Sequence, residues 1–350
     1  MDAVTVNGRV DGDCLGVTLS HEHLKIDQVC WYERSPGIDW IGDAPVENVD
    51  REILRMNPYI SKDNLVLDDL ATAVQEVKRF KQLGGSSIVD VTVPGIGRDP
   101  VFLKKVSEAT GVNIICATGW YVESSHPSIV NQMSVDALAE IMRKDLTDGI
   151  DNTSVRAGMI GEIGTTGPIA ENENKVLQAA ARAHKATGAP IAVHVLAFLR
   201  EKYAFNVLDI LEKEDVDLSH VIICHVDFDN GLNKAYHRGL MERGAFIGFD
   251  NFGVGYPDCS QWLQTDGSTL LVADDSERIR VLHELTQTGF VSRIVLSHDT
   301  CMKLQLRKYG GVGYSHILER VVPGLRSAGI SEKDIRSMLV ENPKRLLAYS

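Results

Sequence analysis

Long hydrophobic runs, paired cysteines and an excess of positive charge are missing from this sequence, and each absence excludes a class of protein. No apolar stretch approaches the ~20 residues that span a bilayer, which excludes a helical membrane protein. The first segment, MDAVTVNGRVDGD, has neither the basic nor the apolar region of a signal peptide. The six cysteines contain no CxxC pair. We therefore expect a cytoplasmic protein with reduced thiols.

Charge and composition narrow the range of partners. The net charge of −12 disfavours nucleic acid or an anionic membrane as a general partner. Hydrophobic residues make up 44% of the chain and charged residues 24%, as in ordinary globular proteins. We expect a small-molecule substrate. A length of 350 residues exceeds a typical domain, but barrels of strands and helices often reach it, so we predict one domain over 1–350.

Short runs of Val, Ile, Leu, Ala and Met alternate with helical segments along the chain. Runs of about four to eight such residues between turn residues are typical of fully buried parallel strands. The predicted strands are 17–23, 86–93, 113–118, 157–163, 190–195, 220–226, 245–250 and 293–299. Strands that alternate with helices in this number favour a closed (β/α)8 TIM barrel over a doubly wound sheet.

Apolar spacing and capping residues predict the helices between these strands. Apolar residues recur at helical spacing in 67–83, and the segment 171–187 is rich in helix-forming Ala, Glu and Lys. Ser276 is expected to cap a helix. Ser331 is expected to open a last helix that stops before Pro343.

Two insertions interrupt the alternation. The longer one, 28–66, separates the first strand from its helix, and the second covers roughly 251–276. Loops this long in compact domains are usually functional or have local structure. Both contain aromatic residues, so we expect them above the barrel as walls of a substrate pocket, with a packed surface loop as the alternative.

Residue types that bind metals lie toward the carboxyl ends of five of the predicted strands. They are His21 and His23 in VTLSHEH, Glu162 in GMIGEIG, His194 in PIAVHV, His225 in VIICHVD and Asp299 in RIVLSHD. A barrel of this type places its active site at the carboxyl ends of its strands, so these side chains are expected to converge. A single histidine at a strand end is more often a hydrogen-bonded core residue. The repetition of suitable residues at five strand ends favours a metal site.

The alternation of side chains along a strand separates ligands from structural residues. His21 and His23 are two positions apart, so they point to the same face. Glu22 points the other way and is expected to be structural, as is His298 beside Asp299.

These ligand types suit two divalent metal ions. Imidazole and carboxylate bind zinc, which we expect first, and also manganese, cobalt or iron. The ligands hold two ions if one carboxylate bridges them, and Glu162 on the middle strand is the natural bridge. Two cations that share a water lower its pKa enough to give hydroxide at neutral pH. Asp299 can accept the proton of this water and pass it to the leaving group.

Together these segments resemble the amidohydrolase superfamily and, more narrowly, its phosphotriesterase-related proteins. Further similar segments are GVTLSHEHLKID, SSIVDVTVPGIGRDP, YGGVGYSHILERVVPGL and ENPKRLL. The resemblance covers about residues 4–347. It implies a (β/α)8 barrel, a binuclear metal centre, hydrolysis of an ester-like bond and a homodimer. It also implies that His21, His23 and Asp299 bind the more buried metal and that His194 and His225 bind the more exposed one. Many members have a carboxylated lysine at the bridge, where this chain has Glu162.

The substrate contacts follow from the same resemblance. Lactonase relatives have a tyrosine near Tyr121 of ATGWY, which implies a donor to the substrate oxygen, although an aromatic pocket wall fits equally well. Asn251 in GFDNFG stands where lactonase relatives often have arginine, and His126 could meet an anionic group. We expect hydrolysis of a lactone or related carboxylic ester, with Asp299 and Tyr121 as catalytic residues. The alternatives are a phosphotriester or phosphodiester hydrolase with the same site, or a non-catalytic metal-binding barrel.

Overall fold

Eight parallel strands form the central sheet of the computed structural model, which describes residues 1–33, 41–196, 200–229, 232–255, 261–263 and 269–349. Each strand pairs with its neighbours in chain order. The strands are β1 Val17–Glu22, β2 Gly85–Asp90, β3 Asn113–Thr118, β4 Met159–Thr165, β5 Ile191–Val195, β6 Val221–Ile223, β7 Phe246–Phe249 and β8 Ile294–Leu296.

Hydrogen bonds between the ends of β1 and β8 close the sheet. The Ser20 hydroxyl donates to the carbonyl of Leu296 at 3.2 Å, and the His21 amide donates to the Ser297 hydroxyl at 3.0 Å. Beyond them, the Asp299 amide donates to the carbonyl of His21 at 3.2 Å. The predicted (β/α)8 barrel is therefore confirmed, and its closure brings the first and last ligand strands together.

Helices cover the outside of the barrel. They are α1 Arg51–Met56, α2 Leu70–Gln82, α3 Pro100–Thr110, α4 Ser128–Gln132, α5 Val135–Thr147, α6 Glu171–Thr187, α7 Arg200–Lys213, α8 Lys234–Glu242, α9 Asp275–Thr286, α10 Val322–Ser327, α11 Glu332–Arg336 and α12 Asn342–Leu347. Short antiparallel pairs join Asp2–Thr5 to Gly8–Asp11, Ile26–Asp27 to Val66–Leu67, and Gln261–Leu263 to Thr269–Leu271. Within the described ranges, no helix combines the length and apolar character needed to cross a membrane.

The continuous apolar runs reflect burial on both faces of the sheet. Along β2, Ile88 belongs to the core between the barrel and its helices, while Val89 belongs to a separate apolar cluster with residues of the other strands. Along β3, Ile114 and Ile115 divide in the same way. Because successive side chains alternate between faces, one set fills the barrel and the other packs against the helices. Most strand positions are therefore apolar, with a few buried hydroxyl residues such as Thr18 and Ser87 among them.

The predicted strand ends and helix caps were less accurate than the predicted fold. Several predicted strands run too far at their carboxyl ends, since β2, β6, β7 and β8 end at Asp90, Ile223, Phe249 and Leu296. Ser276 does not cap its helix: the carboxylate of Asp274 accepts from the Glu277 amide at 2.9 Å and caps α9. A carboxylate and a serine two residues apart are equivalent capping candidates in sequence.

The last helix begins as predicted but continues further. The Ser331 hydroxyl accepts from the Asp334 amide at 3.2 Å and caps α11. The expected stop before Pro343 is wrong, because a π-helical turn over Ser337–Glu341 leads directly into α12. Pro343 lies in the first turn of α12, and proline is tolerated at such positions because its missing N–H needs no partner there.

Candidate metal centre

The six predicted ligands converge at the carboxyl ends of the barrel strands. One group of donor atoms within 4.8 Å of one another comes from His21, His23 and Glu162. A second comes from Glu162, His194 and His225, and a third from His21, His225 and Asp299. Glu162 belongs to both of the first two groups, as expected of a ligand that bridges two ions.

Distances around Glu162 and Asp299 define the cluster. Oε1 of Glu162 lies 2.7 Å from Nε2 of His225, 3.2 Å from Nδ1 of His194 and 3.5 Å from Nε2 of His21. Its Oε2 lies 4.0 Å from Nε2 of His23. Oδ1 of Asp299 lies 3.3 Å from Nε2 of His23 and 3.5 Å from Nε2 of His21. Each carboxylate thus faces several imidazole nitrogens.

Two imidazoles are oriented by hydrogen bonds on their outer nitrogens. The Thr92 hydroxyl donates to the carbonyl of Lys25 at 2.9 Å, so it accepts from Nδ1 of His23 at 2.8 Å. Nδ1 of His225 donates to Oδ1 of Asp250 at 3.0 Å. In both rings the proton is held outside, and the Nε2 lone pair is directed at the cluster. Metal-binding histidines are oriented in this way by hydrogen-bonded neighbours.

Charge within the cluster matches the requirements of bound cations. Burial lowers the pKa of His21, but the carboxylates of Glu162, Asp299 and Asp250 outweigh it and raise the pKa to about 9. Burial raises the pKa of Glu162, but His21, His194 and His225 outweigh it and hold this pKa below its ordinary value. The cluster therefore stabilises ionised carboxylates beside positive charge.

A further observation supports the fit of these donors to divalent metal ions. Both ring nitrogens of His21 are buried and have no hydrogen-bond partner among the described atoms. Buried polar groups are almost always satisfied, so orphaned imidazole nitrogens between two carboxylates mark a site for a cation. The oxygen and nitrogen donors of the six predicted ligands suit zinc, manganese, cobalt or iron.

The backbone at two of the ligands adopts a rarely populated conformation. His225 has φ +57° and Asp299 has φ +52°, in the left-handed region that non-glycine residues seldom occupy. His225 lies two residues and Asp299 three residues beyond the end of its strand, where the chain must turn to aim the side chain into the cluster. Strain of this kind persists where the surrounding structure enforces it, commonly at functional sites.

Glu22 and His298 are structural, as their positions on the strand predicted. Oε1 of Glu22 accepts from Nδ1 of His298 at 2.6 Å and from the Ser297 hydroxyl at 2.7 Å, and Oε2 accepts from the Thr300 amide at 3.0 Å. Nε2 of His298 accepts from the Ile317 amide at 3.0 Å. These bonds fix the turn that carries Asp299.

Sequence reasoning missed two residues that orient ligands, Asp250 and Thr92. Asp250 follows β7, one of the strands to which no ligand was assigned, and Thr92 follows β2. A carboxylate directly after an apolar strand was a usable signal for Asp250. For Thr92 no signal existed, because its role depends on a partner 69 positions away.

A cavity of about 120 Å³ opens above the cluster. Of the predicted substrate contacts, Tyr121 and Asn251 line it. His126 is not among the described residues of its wall, and its Nε2 bonds the carbonyl of Tyr121 at 2.7 Å instead. Both amide hydrogens of Asn251 are used by Asp227 and Asp250, at 2.9 and 3.0 Å. Asn251 can therefore offer a substrate only its oxygen.

Comparison with known proteins assigns the chain to a family. A model of the phosphotriesterase family matches residues 1–347. The chain belongs to the phosphotriesterase family. It is 37% identical over 350 residues to a Xenopus tropicalis protein named N-acetyltaurine hydrolase, with 99% of this chain and 97% of that protein covered. The resemblance inferred from the motifs is thus confirmed.

Solved structures of the phosphotriesterase family agree. A resiniferatoxin-binding protein from Rhodobacter sphaeroides superposes with a TM-score of 0.92 at 37% identity, covering 99% of this chain and 95% of that one. A lactonase from Listeria monocytogenes superposes with a TM-score of 0.79 at 25% identity, covering 100% of both. The family is one of metal-dependent hydrolases with a binuclear centre, so this chain is a hydrolase. The cluster around Glu162 has side chains able to hold metal ions.

Proposed function

We propose that this hydrolase cleaves a carboxylic acyl bond, with a lactone or ester as the first substrate class and an N-acyl amide as the second. The observation that carries the proposal is Tyr121, whose hydroxyl lies in the cavity wall 3.3 Å from Nδ1 of the ligand His194. A neutral donor at this place suits the oxygen of a carbonyl group, on which negative charge develops during acyl transfer.

The proposal assigns the metals to His21, His23, Asp299, His194 and His225, with Glu162 between them. Bound divalent ions lower the pKa of water and polarise a carbonyl oxygen. Proton transfer and hydrogen bonding to the substrate oxygen are left to side chains of the cavity.

Asp299 is suited to accept and return a proton. Burial raises its pKa, but His21, His23 and His225 outweigh this and hold the pKa well below its ordinary value, so the carboxylate is ionised. Its side chain is 19% exposed, against 3% for Glu162, and it lines the cavity. We infer that Asp299 takes the proton of the attacking water and delivers it to the leaving group.

Tyr121 is suited to donate a hydrogen bond. Burial, together with the carboxylates of Glu162 and Asp299, raises the pKa of Tyr121 well above its ordinary value. The phenol therefore keeps its proton throughout the neutral range. The ring is also held by Trp31, with centroids 6.3 Å apart, and by the bond from His126 to its backbone carbonyl.

The cavity walls favour an apolar acyl or alcohol group. They include Ile26, Trp31, Ile96, Phe228, Trp262 and Leu270. No lysine or arginine occurs among the described residues of this wall. An aromatic and aliphatic enclosure with a few polar groups at one end is the usual form of a small-molecule site.

The second candidate, an N-acyl amide, is supported by relatives. Several proteins that are 33 to 37% identical to this chain over nearly its full length are named N-acetyltaurine hydrolase. Lactone and amide hydrolysis share attack on an acyl carbon, so the same Asp299 and Tyr121 serve both.

A substrate screen tests the proposal. Metal-loaded protein is assayed against sugar lactones, acyl-homoserine lactones, aryl esters, N-acyl amides and an activated phosphotriester. We expect the highest kcat/KM on a lactone, ester or amide. If the phosphotriester is cleaved faster than every acyl substrate, the proposed bond is wrong even though the metal centre stands.

A further inference from the structure

One carboxylate in the wall of the cavity stands apart from the metal cluster. Glu33 lines the cavity together with Glu162 and Asp299. Unlike them, it belongs to none of the groups of possible metal donors among the described residues. Its side chain is partly buried and makes no hydrogen bond or ion pair within the part of the chain that the structure describes. Metal ions compensate the charge of Glu162 and Asp299 but not that of Glu33, which is left for the substrate.

Hydrogen bonds hold Glu33 beside the site. Its amide donates to the carbonyl of Tyr59 at 3.1 Å, which joins the two described parts of the insertion 28–66. The side-chain amide of Gln28 donates to the carbonyl of Cys301 at 2.6 Å, two residues beyond Asp299. The segment that carries Glu33 is therefore tied both to the rest of the insertion and to the turn that carries Asp299.

Aromatic rings form much of the wall that Glu33 shares. The ring centroids of Trp31 and Tyr121 lie 6.3 Å apart, edge to face. Those of Tyr59 and Trp262 lie 5.7 Å apart in the same arrangement. All four rings line the cavity with Glu33. The face of an aromatic ring attracts a cation, and aromatic enclosures are used to recognise substituted ammonium groups. A carboxylate in an aromatic wall therefore suits an ammonium group.

The charges around the cavity favour the same kind of ligand. Burial raises the pKa of Tyr59, and Cys301, Asp299 and Glu33 raise it further, so the Tyr59 hydroxyl keeps its proton. Among the described residues of the wall there is no lysine or arginine to balance Glu33. An anionic group of a substrate is therefore repelled beside Glu33, whereas a cationic group is attracted.

The cavity can hold an acyl group and an ammonium group together. It measures about 120 Å³, and one water needs roughly 10–15 Å³ by the same measure, so it has room for on the order of ten non-hydrogen atoms. Glu33 and Asp299 line the same space. A substrate whose acyl group lies over the metal cluster can therefore reach Glu33 through a linker of a few bonds.

We propose that Glu33 selects substrates that carry an ammonium group a few bonds from the scissile acyl bond. The inference rests on the proposed acyl hydrolysis and names a substrate class for it. In this arrangement the carboxylate balances the ammonium charge, and the aromatic rings enclose its carbon atoms. Glu33 contacts the substrate away from the reacting atoms, so it determines specificity and moves no proton.

Three acetate esters of similar length test the proposal: a trimethylammonioethyl ester, its uncharged 3,3-dimethylbutyl counterpart and an anionic 2-carboxyethyl ester. Metal-loaded protein should prefer the ammonium ester. Glu33→Gln should lower kcat/KM for this ester about tenfold to a hundredfold, mainly through KM, because a charge-assisted contact is lost. The uncharged ester should change by about twofold at most. The anionic ester should be cleaved several times faster, because a repulsion has been removed.

Two further variants are controls. Glu33→Asp keeps the charge and should retain part of the preference. Glu47→Gln removes an equal charge from an exposed side chain of the same insertion and should change kcat/KM for none of the esters. A preference of the unmodified protein for the uncharged or the anionic ester would refute the inference. Equal losses on all three esters after Glu33→Gln would also refute it, since they would show structural damage.

Calorimetric binding of the trimethylammonio alcohol released from the first ester separates this inference from the proposed function. Binding that exceeds that of 3,3-dimethylbutanol and is weakened by Glu33→Gln supports the role of Glu33, even if none of the esters is hydrolysed. Hydrolysis of the uncharged ester, with neither binding of the ammonium alcohol nor preference for its ester, would leave acyl hydrolysis standing and refute the role of Glu33.

Discussion

Oδ1 of Asp250 accepts hydrogen bonds from both the side chain and the backbone of His225, at 3.0 Å from Nδ1 and 2.9 Å from the amide nitrogen. One carboxylate oxygen therefore fixes the ring orientation of His225 and the left-handed turn that presents it. Asp250 is in turn held by Asp227, whose Oδ1 accepts from the Asp250 amide at 3.2 Å. The candidate site thus extends beyond the six predicted ligands to carboxylates that orient one of them.

Asp250→Asn should weaken metal binding without unfolding the protein. Asparagine keeps the size of the side chain, but its amide can present a donor to Nδ1 and so favour the wrong tautomer of His225. Loss of such an orienting partner typically costs about 10–100-fold in metal affinity. Competition with a chelator measures this loss. Asp145→Asn, at a buried carboxylate that pairs with Arg98, is the control. Unchanged affinity in Asp250→Asn would contradict an orienting role.

The protein should bind close to two divalent ions per chain without added bicarbonate. The reason is that Glu162 already lies between the two groups of donors and supplies the carboxylate that a modified lysine would otherwise provide. Elemental analysis after reconstitution with zinc or manganese measures the stoichiometry. A maximum near one ion, or a strict bicarbonate requirement, would show that the arrangement around Glu162 is not a bridge.

The barrel and the convergence of the six predicted side chains could be predicted because both depend on short-range signals. Apolar runs define the strands; His194 and His225 directly follow such runs, and Asp299 comes three residues after one. A closed parallel barrel then brings all strand ends to one rim, so chain order alone predicts their convergence. The cytoplasmic location and the homodimer stay predictions.

Substrate contacts were harder to predict, because they depend on packing between distant segments. Asn251 was expected to contact substrate, but its amide hydrogens are taken by Asp227 and Asp250, which only the folded arrangement shows. Part of 251–276, and residues 34–40 of 28–66, lie outside the described residues.

Arg278→Met should strongly destabilise the fold. The Arg278 side chain is fully buried and pairs with Asp227 at 2.9 Å, while its Nη1 donates to the carbonyl of Val254 at 2.8 Å. Removing one partner of a buried pair leaves the other charge uncompensated, which costs about 3–5 kcal/mol. Denaturant unfolding at fixed metal concentration measures the change. Arg326→Met, which breaks an exposed pair with Glu332, should cost at most about 1 kcal/mol. Similar losses in the two variants would contradict this account.

The Tyr121→Phe substitution distinguishes two roles for Tyr121, a hydrogen-bond donor to the substrate and an aromatic wall of the pocket. Phenylalanine keeps the ring and its contact with Trp31, so a wall role predicts near-normal turnover. A donor role predicts a loss in kcat of about 10²–10³-fold with little change in KM, as for other donors to a developing oxyanion. We expect the larger loss. Steady-state kinetics on the best acyl substrate decides between the two roles, with metal content measured in parallel because the hydroxyl lies 3.3 Å from His194.

Asp299→Asn should remove most turnover while the barrel stays folded. The substitution keeps an oxygen that can coordinate weakly but removes the group that accepts a proton, and general acid–base catalysis typically contributes about 10²–10⁴-fold. Loss of metal would lower activity for a different reason, because Asp299 lies 3.3 Å from His23 and 3.5 Å from His21 within the cluster. Activity must therefore be compared at equal metal occupancy, measured by elemental analysis of the assayed sample. Substrates with better leaving groups need less proton donation, so the defect should shrink as the leaving group becomes more acidic. Near-normal turnover at full occupancy would exclude Asp299 as the proton carrier and leave it only as a ligand.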